Sequence, residues 1–180
     1  MKILAFTGMP CSGKSVAVQI AKESKIPVIR MGDAVWEETK KQGFTLNDKN
    51  VGKIANDMRE KHGKDIWAKR TVEKIKSNVK ENCVVIDGIR NSEEIAFFKK
   101  ELGSNFIVIA ILASDETRKK RVLARKREDD SSDIKDLEER DKRELGWGLG
   151  EVIENADIVI SNEGSIEEFR KKVKEKLAYM

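Results

Sequence analysis

The stretch Gly8-Met9-Pro10-Cys11-Ser12-Gly13-Lys14-Ser15 constrains this chain more than any other eight residues. Its spacing is Gly-x4-Gly-Lys-Ser. It stands between a short apolar run, residues 2–7, and a stretch whose Val16, Ala17, Ile20 and Ala21 recur at helical spacing. A strand that passes through a glycine-rich turn into a helix can aim backbone N–H groups at an anion, and the helix N-terminus adds partial positive charge. Residues 8–15 are therefore a candidate cradle for the phosphates of ATP. In that role Lys14 neutralises the β- and γ-phosphates, and the Ser15 hydroxyl becomes a ligand of the accompanying Mg2+. Cys11 falls at a variable position of the loop and reads as a small filler rather than a redox thiol.

Two prolines and twelve glycines leave few punctuation marks elsewhere, so apolar periodicity parses the rest. Strands are expected at residues 2–7, 27–29, 83–86, 105–112 and 156–160. The unbroken apolar run 106–111 is the pattern of a strand covered on both faces. Helices are expected at 13–24 and through most of 32–80, where Val51, Ile54, Ala55 and Met58 form one stripe and Ala68, Val72, Ile75 and Val79 another. Further helices follow a cap at Asn91 or Ser92, a cap at Ser114 or Asp115, and the loop before Ile166, Phe169, Val173 and Leu177. Alternating strands and helices imply an α/β fold, a parallel sheet with helices on both faces. A length of 180 residues suits one domain. Two helical, highly charged segments, about 31–80 and 118–147, lie between core strands and are candidates for mobile parts that cover a substrate.

Composition narrows the function. Charged residues make up 38% of the chain, yet 36 basic against 32 acidic side chains leave a net charge of only +4, too balanced for a generic polyanion coat. Two Cys and one His exclude a disulfide framework and a Cys/His zinc cluster. No apolar stretch approaches the ~18 residues of a membrane span, and residues 2–7 open directly into a strand without signal-peptide anatomy. A cytoplasmic protein of a reducing compartment is expected, as a monomer or a homo-oligomer.

Asp87 follows the run 83–86, where a nucleotide-binding sheet places a carboxylate on the Mg2+ side, and it can also cap the next helix. With these residues in place, the chain resembles the P-loop nucleoside monophosphate kinases, and most of all the archaeal adenylate-kinase-related and dephospho-CoA-kinase-like group. Asp87-Gly88-Ile89-Arg90 is similar to the Asp-Gly-Phe-Pro-Arg motif of adenylate kinases, one residue shorter and without the proline. The resemblance implies that Arg90 holds the acceptor's phosphate. Arg127-Glu128-Asp129-Asp130 resembles the Arg-x-Asp-Asp segment of the lid, whose arginine clamps phosphates. Residues 156–165 resemble the last strand and adenine-side loop, which implies ATP contacts at Asn162 and Gly164. The same resemblance implies a P-loop NTPase three-layer sandwich with a five-stranded parallel sheet of order 2-3-1-4-5, an acceptor-binding insert at about 31–80 and a lid at about 118–147.

One departure stands out. Adenylate kinases carry an arginine three residues after the Asp of Gly32-Asp33, and here that position is Trp36. Arg30 or Arg59 would then complete the acceptor grip beside Arg90 and Asp33. Asp33 serves either as a helix cap, the favoured reading, or as general base for a hydroxyl acceptor, the role its counterpart has in dephospho-CoA kinases. Seven of the ten residues 118–127 are basic, and 118, 121 and 125 share a helical face. Arg121, Arg125 and Arg127 suit a lid that neutralises charge during phosphoryl transfer. A solvated face balanced by Asp129, Asp130 and Asp133 and an RNA-binding patch compete with the lid, although no aromatics are interleaved. Arg140 and Arg143 read equally as returning lid arginines and as i,i+4 ion-pair partners. His62 before Gly63 reads as a helix C-terminus, Trp36 and Trp67 as core of the insert, and Trp147 has no assignment. The expected activity is ATP·Mg2+-dependent phosphoryl transfer to a nucleoside monophosphate. The alternatives are a hydroxyl acceptor such as dephospho-CoA, or a nucleotide-dependent, RNA-associated ATPase.

Overall fold

In the computed structural model of the chain, residues 1–103, 105–124 and 134–178 are described. The elements in chain order are β1 (Lys2–Thr7), α1 (Lys14–Glu23), β2 (Val28–Arg30), α2 (Met31–Lys41), α3 (Asp48–His62), α4 (Ile66–Asn78), β3 (Cys83–Asp87), α5 (Ser92–Leu102), β4 (Phe106–Leu112), α6 (Asp115–Ala124), α7 (Ile134–Gly146), α8 (Leu149–Glu154), β5 (Ile158–Ser161) and α9 (Ile166–Ala178). The five strands are all parallel and lie in the order β2-β3-β1-β4-β5, as the resemblance implied.

Side-chain alternation explains the layers. Ile3 and Ala5 of β1 point into a core shared with Ala34, Ile54, Trp67, Ile75, Phe98 and Val152, whereas Leu4 and Phe6 pack with Ala17, Ile20, Phe169 and Val173 of α1 and α9. Burying each large apolar side chain in this way is worth roughly 1.5–3 kcal/mol. Both faces being covered, the central strands carry no polar face. The strand register places Phe6 opposite Asp87 and Thr7 opposite Ala110, so the loop after β1 and the end of β3 emerge at one sheet edge. Ligands of open α/β sheets bind at that edge.

The segment between β2 and β3 is more integral than its charge implied. The inner faces of α3 and α4, through Ile54, Ala55, Met58, Trp67, Ala68, Val72 and Ile75, belong to the main core. Trp67 is 1% exposed, and its indole N–H donates to Ala55 O at 3.2 Å. Trp36 corrects the expectation from sequence: it is 40% exposed, and Arg30 stands over its ring at 5.2 Å. The reason is geometric, because α2 buries Met31, Ala34, Val35, Glu38 and Thr39, a stripe that passes Trp36 by. His62 ends α3 before Gly63, as expected. Among the described residues no helix is long and apolar enough to cross a membrane.

Candidate active site

The loop from β1 to α1 is wound with positive φ at Gly8 (143°), Cys11 (61°) and Gly13 (110°). A Cβ on Gly8 would stand 2.3 Å from Ile111 O, and one on Gly13 would stand 2.1 Å from Asn162 Nδ2, so both positions require glycine. Pro10 and Ser12 are buried, Met9, Cys11 and Lys14 half-buried, and Ser15 exposed. The Ser12 Oγ is buried without a hydrogen-bond partner among the described residues. An orphaned hydroxyl inside a loop of inward-turned backbone is a feature that a ligand would satisfy.

The loop is braced from outside. Asn162 donates through Nδ2 to Ser12 O at 2.8 Å, and its backbone N–H donates to Leu112 O at 2.7 Å. Arg121 donates to Ser12 O at 3.1 Å, Cys11 O at 3.3 Å and Asn162 O at 2.7 Å. Arg118, buried, donates to Pro10 O at 3.2 Å and pairs with Asp141 at 2.7 Å and Asp115 at 3.0 Å. These bonds hold loop carbonyls that would otherwise repel a phosphate. Arg118 and Arg121 thus share a helical face, as the spacing predicts, and both meet the loop's backbone. Gly164 lies in the turn before α9, where a Cβ would stand 2.1 Å from Glu168 Oε2. Arg125 and Arg127 lie outside the described residues.

Inside the loop, Lys14 Nζ donates to Gly8 O at 2.5 Å and Met9 O at 3.0 Å. Burial first, and then the nearby Arg90 charge, draw the Lys14 pKa down to about 7, against the opposite pull of Glu144 and Asp87. Arg90 is fixed by its backbone: its N–H donates to Glu94 Oε2 at 2.8 Å, and Glu94 Oε1 accepts from Arg59 at 3.0 Å. Asn91 caps α5 by accepting from Glu94 N at 2.8 Å, so the arginine sits on a rigid helix start. Its guanidinium Nε lies 2.7 Å from Glu144 Oε2, and Glu144 Oε1 accepts from Arg140 Nε at 2.8 Å. Burial alone would raise the Glu144 carboxyl, but Arg90, Arg140 and Lys14 outweigh it and hold the pKa at about 2. Arg140 is thus an i,i+4 ion-pair partner, one of its two sequence readings, and it lies within electrostatic reach of Lys14. Arg143 turns instead to Asp48 at 2.7 Å.

On the far side of Asp87, Arg30 lies 3.8 Å from that carboxylate and 3.5 Å from Asp33. Asp33 does not cap α2. The N-cap is Arg30, with no side-chain cap bond, and Asp33 sits in the first turn with its side chain 45% exposed. Arg59, a candidate for the acceptor grip, is instead committed to buried Glu94 and to the face of Trp147 at 4.3 Å. Arg30 is the more exposed of the two. Glu144 and Asp141 escaped sequence reading, because acidic residues between lysines and arginines on a charged helix look like solvated ion pairs. Arg140 to Glu144 at i,i+4 was the available signal.

Residues 7–138 match the family described as AAA domain. A UPF0200 protein of Methanosarcina acetivorans is 47% identical over 177 residues, which cover 98% of this chain and 94% of that relative. The chain belongs to the AAA domain and UPF0200 families. A second UPF0200 relative, the UPF0200/UPF0201 protein of Archaeoglobus fulgidus, is 48% identical over 176 residues; they cover 97% of this chain but only 54%, about half, of the relative. The UPF0200 fold seen here is similar to the crystal structure of TT1252 from Thermus thermophilus, with a TM-score of 0.67 at 19% identity over 99% of this chain and 97% of that one. It is also similar to a gluconokinase from Sinorhizobium meliloti, with a TM-score of 0.56 at 15% identity over 99% and 92%, and to the shikimate kinase of Aquifex aeolicus, with 0.51 at 19% over 98% and 96%. These likenesses are of fold: the UPF0200 chain has the architecture of P-loop kinases.

Proposed function

We propose that this UPF0200 protein is a kinase that transfers the γ-phosphoryl group of ATP·Mg2+ to a nucleoside monophosphate, in the manner of adenylate kinases. The observation that carries the reading is one convergence. Asp87 at the end of β3, Arg90 before α5 and Arg140 on α7 all lie within electrostatic reach of Lys14 of the phosphate loop. In the strand order, Asp87 at the end of β3 stands between the loop after β1 and Arg30 with Asp33 at the end of β2 and the start of α2. A donor and an acceptor can therefore meet across it, and phosphoryl transfer needs little beyond such positioning and charge neutralisation.

The residues fit a magnesium ion brought by the nucleotide, with the exposed Ser15 hydroxyl, the Asp87 carboxylate and the orphaned Ser12 hydroxyl as candidate oxygens. When bound, the ion supplies neutralisation of the β- and γ-phosphates. Lys14 exchanges its carbonyl partners for phosphate oxygens. Arg90 and Arg140 hold charge as it develops on the transferred group, and Arg30 joins Arg90 on the acceptor's phosphate. Arg118, Arg121 and Asn162 keep the cradle rigid. In this reading α2 and α3 receive the acceptor, residues 118–147 with Arg125 and Arg127 close over it, and the turn at Asn162 and Gly164 borders the adenine.

Asp33 favours a second reading, a hydroxyl acceptor such as dephospho-CoA. Its carboxylate is half-exposed, is not used as a cap and stands beside Arg30, as a general base for a hydroxyl would. A panel of nucleoside monophosphates and hydroxyl acceptors incubated with ATP·Mg2+ tests both, read as ADP release. Stimulation by a monophosphate is expected. Stimulation by hydroxyl acceptors alone would select the second reading, and hydrolysis that is unstimulated, or stimulated by RNA, would remove the kinase in favour of an ATPase switch.

A further inference from the structure

Glu144 is a side chain for which the transfer chemistry has no use. It is 3% exposed, on the last turn of α7, and its carboxylate lies between Arg90 Nε at 2.7 Å and Arg140 Nε at 2.8 Å. Lys14 is the third cation within its electrostatic reach. Two arginines and the phosphate-loop lysine are the cations expected around a phosphoryl group in transit, and here the anion among them belongs to the chain itself. The carboxylate is held unevenly. Oε1 accepts a hydrogen bond from Arg140, whereas Oε2, buried, faces Arg90 without making one. Oε2 is thus held by its ion pair with Arg90 and not also by an aligned hydrogen bond, so an occupant of greater negative charge can take its place.

The remainder of α7 is anchored independently of Glu144. Asp141 pairs with Arg118, Arg143 with Asp48, and the Trp147 indole N–H donates to Asn56 Oδ1 at 3.2 Å. The glutamate side chain can therefore leave while the helix keeps its other contacts.

We propose that Glu144 is an autoinhibitory carboxylate that fills the seat of the transferred phosphoryl group until substrate phosphate expels it. The inference rests on the phosphate seat of the kinase reading and is independent of the acceptor. A seat that must first be emptied weakens the observed affinity by the fraction of molecules in which it is empty. It also selects its occupant, because a polyphosphate offers the three cations more charge than a carboxylate does.

The test uses inorganic tripolyphosphate, titrated calorimetrically into the wild-type protein, Glu144→Gln and Lys14→Ala. Glu144→Gln is expected to bind it at least about tenfold more tightly than wild type, with Lys14→Ala much weaker than either. If Lys14→Ala binds as wild type does, the seat itself is misplaced and the kinase reading falls with it. If Lys14→Ala loses binding while Glu144→Gln binds no more tightly than wild type, the seat stands and the autoinhibition falls. Because Glu144→Gln leaves two arginines facing each other and could fail to fold, the carboxyl carbon resonance of Glu144 in the wild-type protein gives a second test. Tripolyphosphate is expected to move that resonance toward the position of a solvent-exposed glutamate, as the side chain leaves its cations; an unmoved resonance at saturating tripolyphosphate would overturn the proposal.

Discussion

Lys14 is an ammonium pressed against two carbonyls of its own loop, and burial with the neighbouring Arg90 brings its pKa from 10.5 to about 7. Between those two values the empty folded protein has released a proton that the unfolded chain keeps. This group therefore adds stability as pH rises from 7 to 10.5. Nucleotide phosphates reverse the balance by supplying the missing counter-charge, so ATP binding at pH 8 should take up about one proton. Calorimetry in buffers of different ionisation enthalpy measures this directly, and binding without proton uptake would contradict it. Arg90 leads to a kinetic expectation. Arg90→Ala should cost about 2–4 kcal/mol of transition-state stabilisation, the scale of one preorganised charge contact, and should weaken acceptor binding more than ATP binding. Calorimetry showing ATP binding lost and acceptor binding intact would mean that donor and acceptor sides are reversed.

Helices α3 and α7 interlock at Trp147, whose ring lies between Arg59 at 4.3 Å and Arg143 at 5.8 Å while its N–H reaches Asn56. Gly52 makes room for the same lock, since a Cβ there would stand 2.7 Å from Arg143 Cζ. Trp147→Ala should lower stability by roughly 2–3 kcal/mol through lost packing and cation–π contact. Hydrogen exchange should quicken in α7 and leave β4 unchanged; equal quickening in β4 would mean that Trp147 supports the whole core instead. The elements differ in how far the sequence displays them. β1 and β4 stand out because burial on both faces leaves unbroken apolar runs, whereas β2, a three-residue edge strand, is set one residue later than expected, at Val28–Arg30. The phosphate loop is legible because its chemistry is local, eight consecutive residues. Its braces are not, because Arg118 meets Pro10 across 108 residues and Arg121 meets Cys11 across 110. Glu144 hid for a related reason: i,i+4 spacing to Arg140 says nothing about burial, and burial is what turns that pair into part of a site.

For the molecule as a whole, the buried Glu144 couples the site to acid stability. Its pKa falls from 4.5 in the unfolded chain to about 2 in the fold, so its contribution is complete above 4.5 and is lost as pH falls toward 2. The difference corresponds to about 3 kcal/mol. Urea unfolding across that range should show the wild-type protein losing stability more steeply than Glu144→Gln, and parallel pH profiles would contradict the charge cluster. The central claim is that one sheet edge, bordered by the phosphate loop, Asp87 and the arginines of two helical segments, passes a phosphoryl group from donor to acceptor. It is tested most directly by following the label from γ-labelled ATP with Mg2+, first with a nucleoside monophosphate and then with hydroxyl acceptors. The expected result is label covalently attached to an acceptor, with Lys14→Ala at background. Label released solely as inorganic phosphate with every acceptor would contradict it.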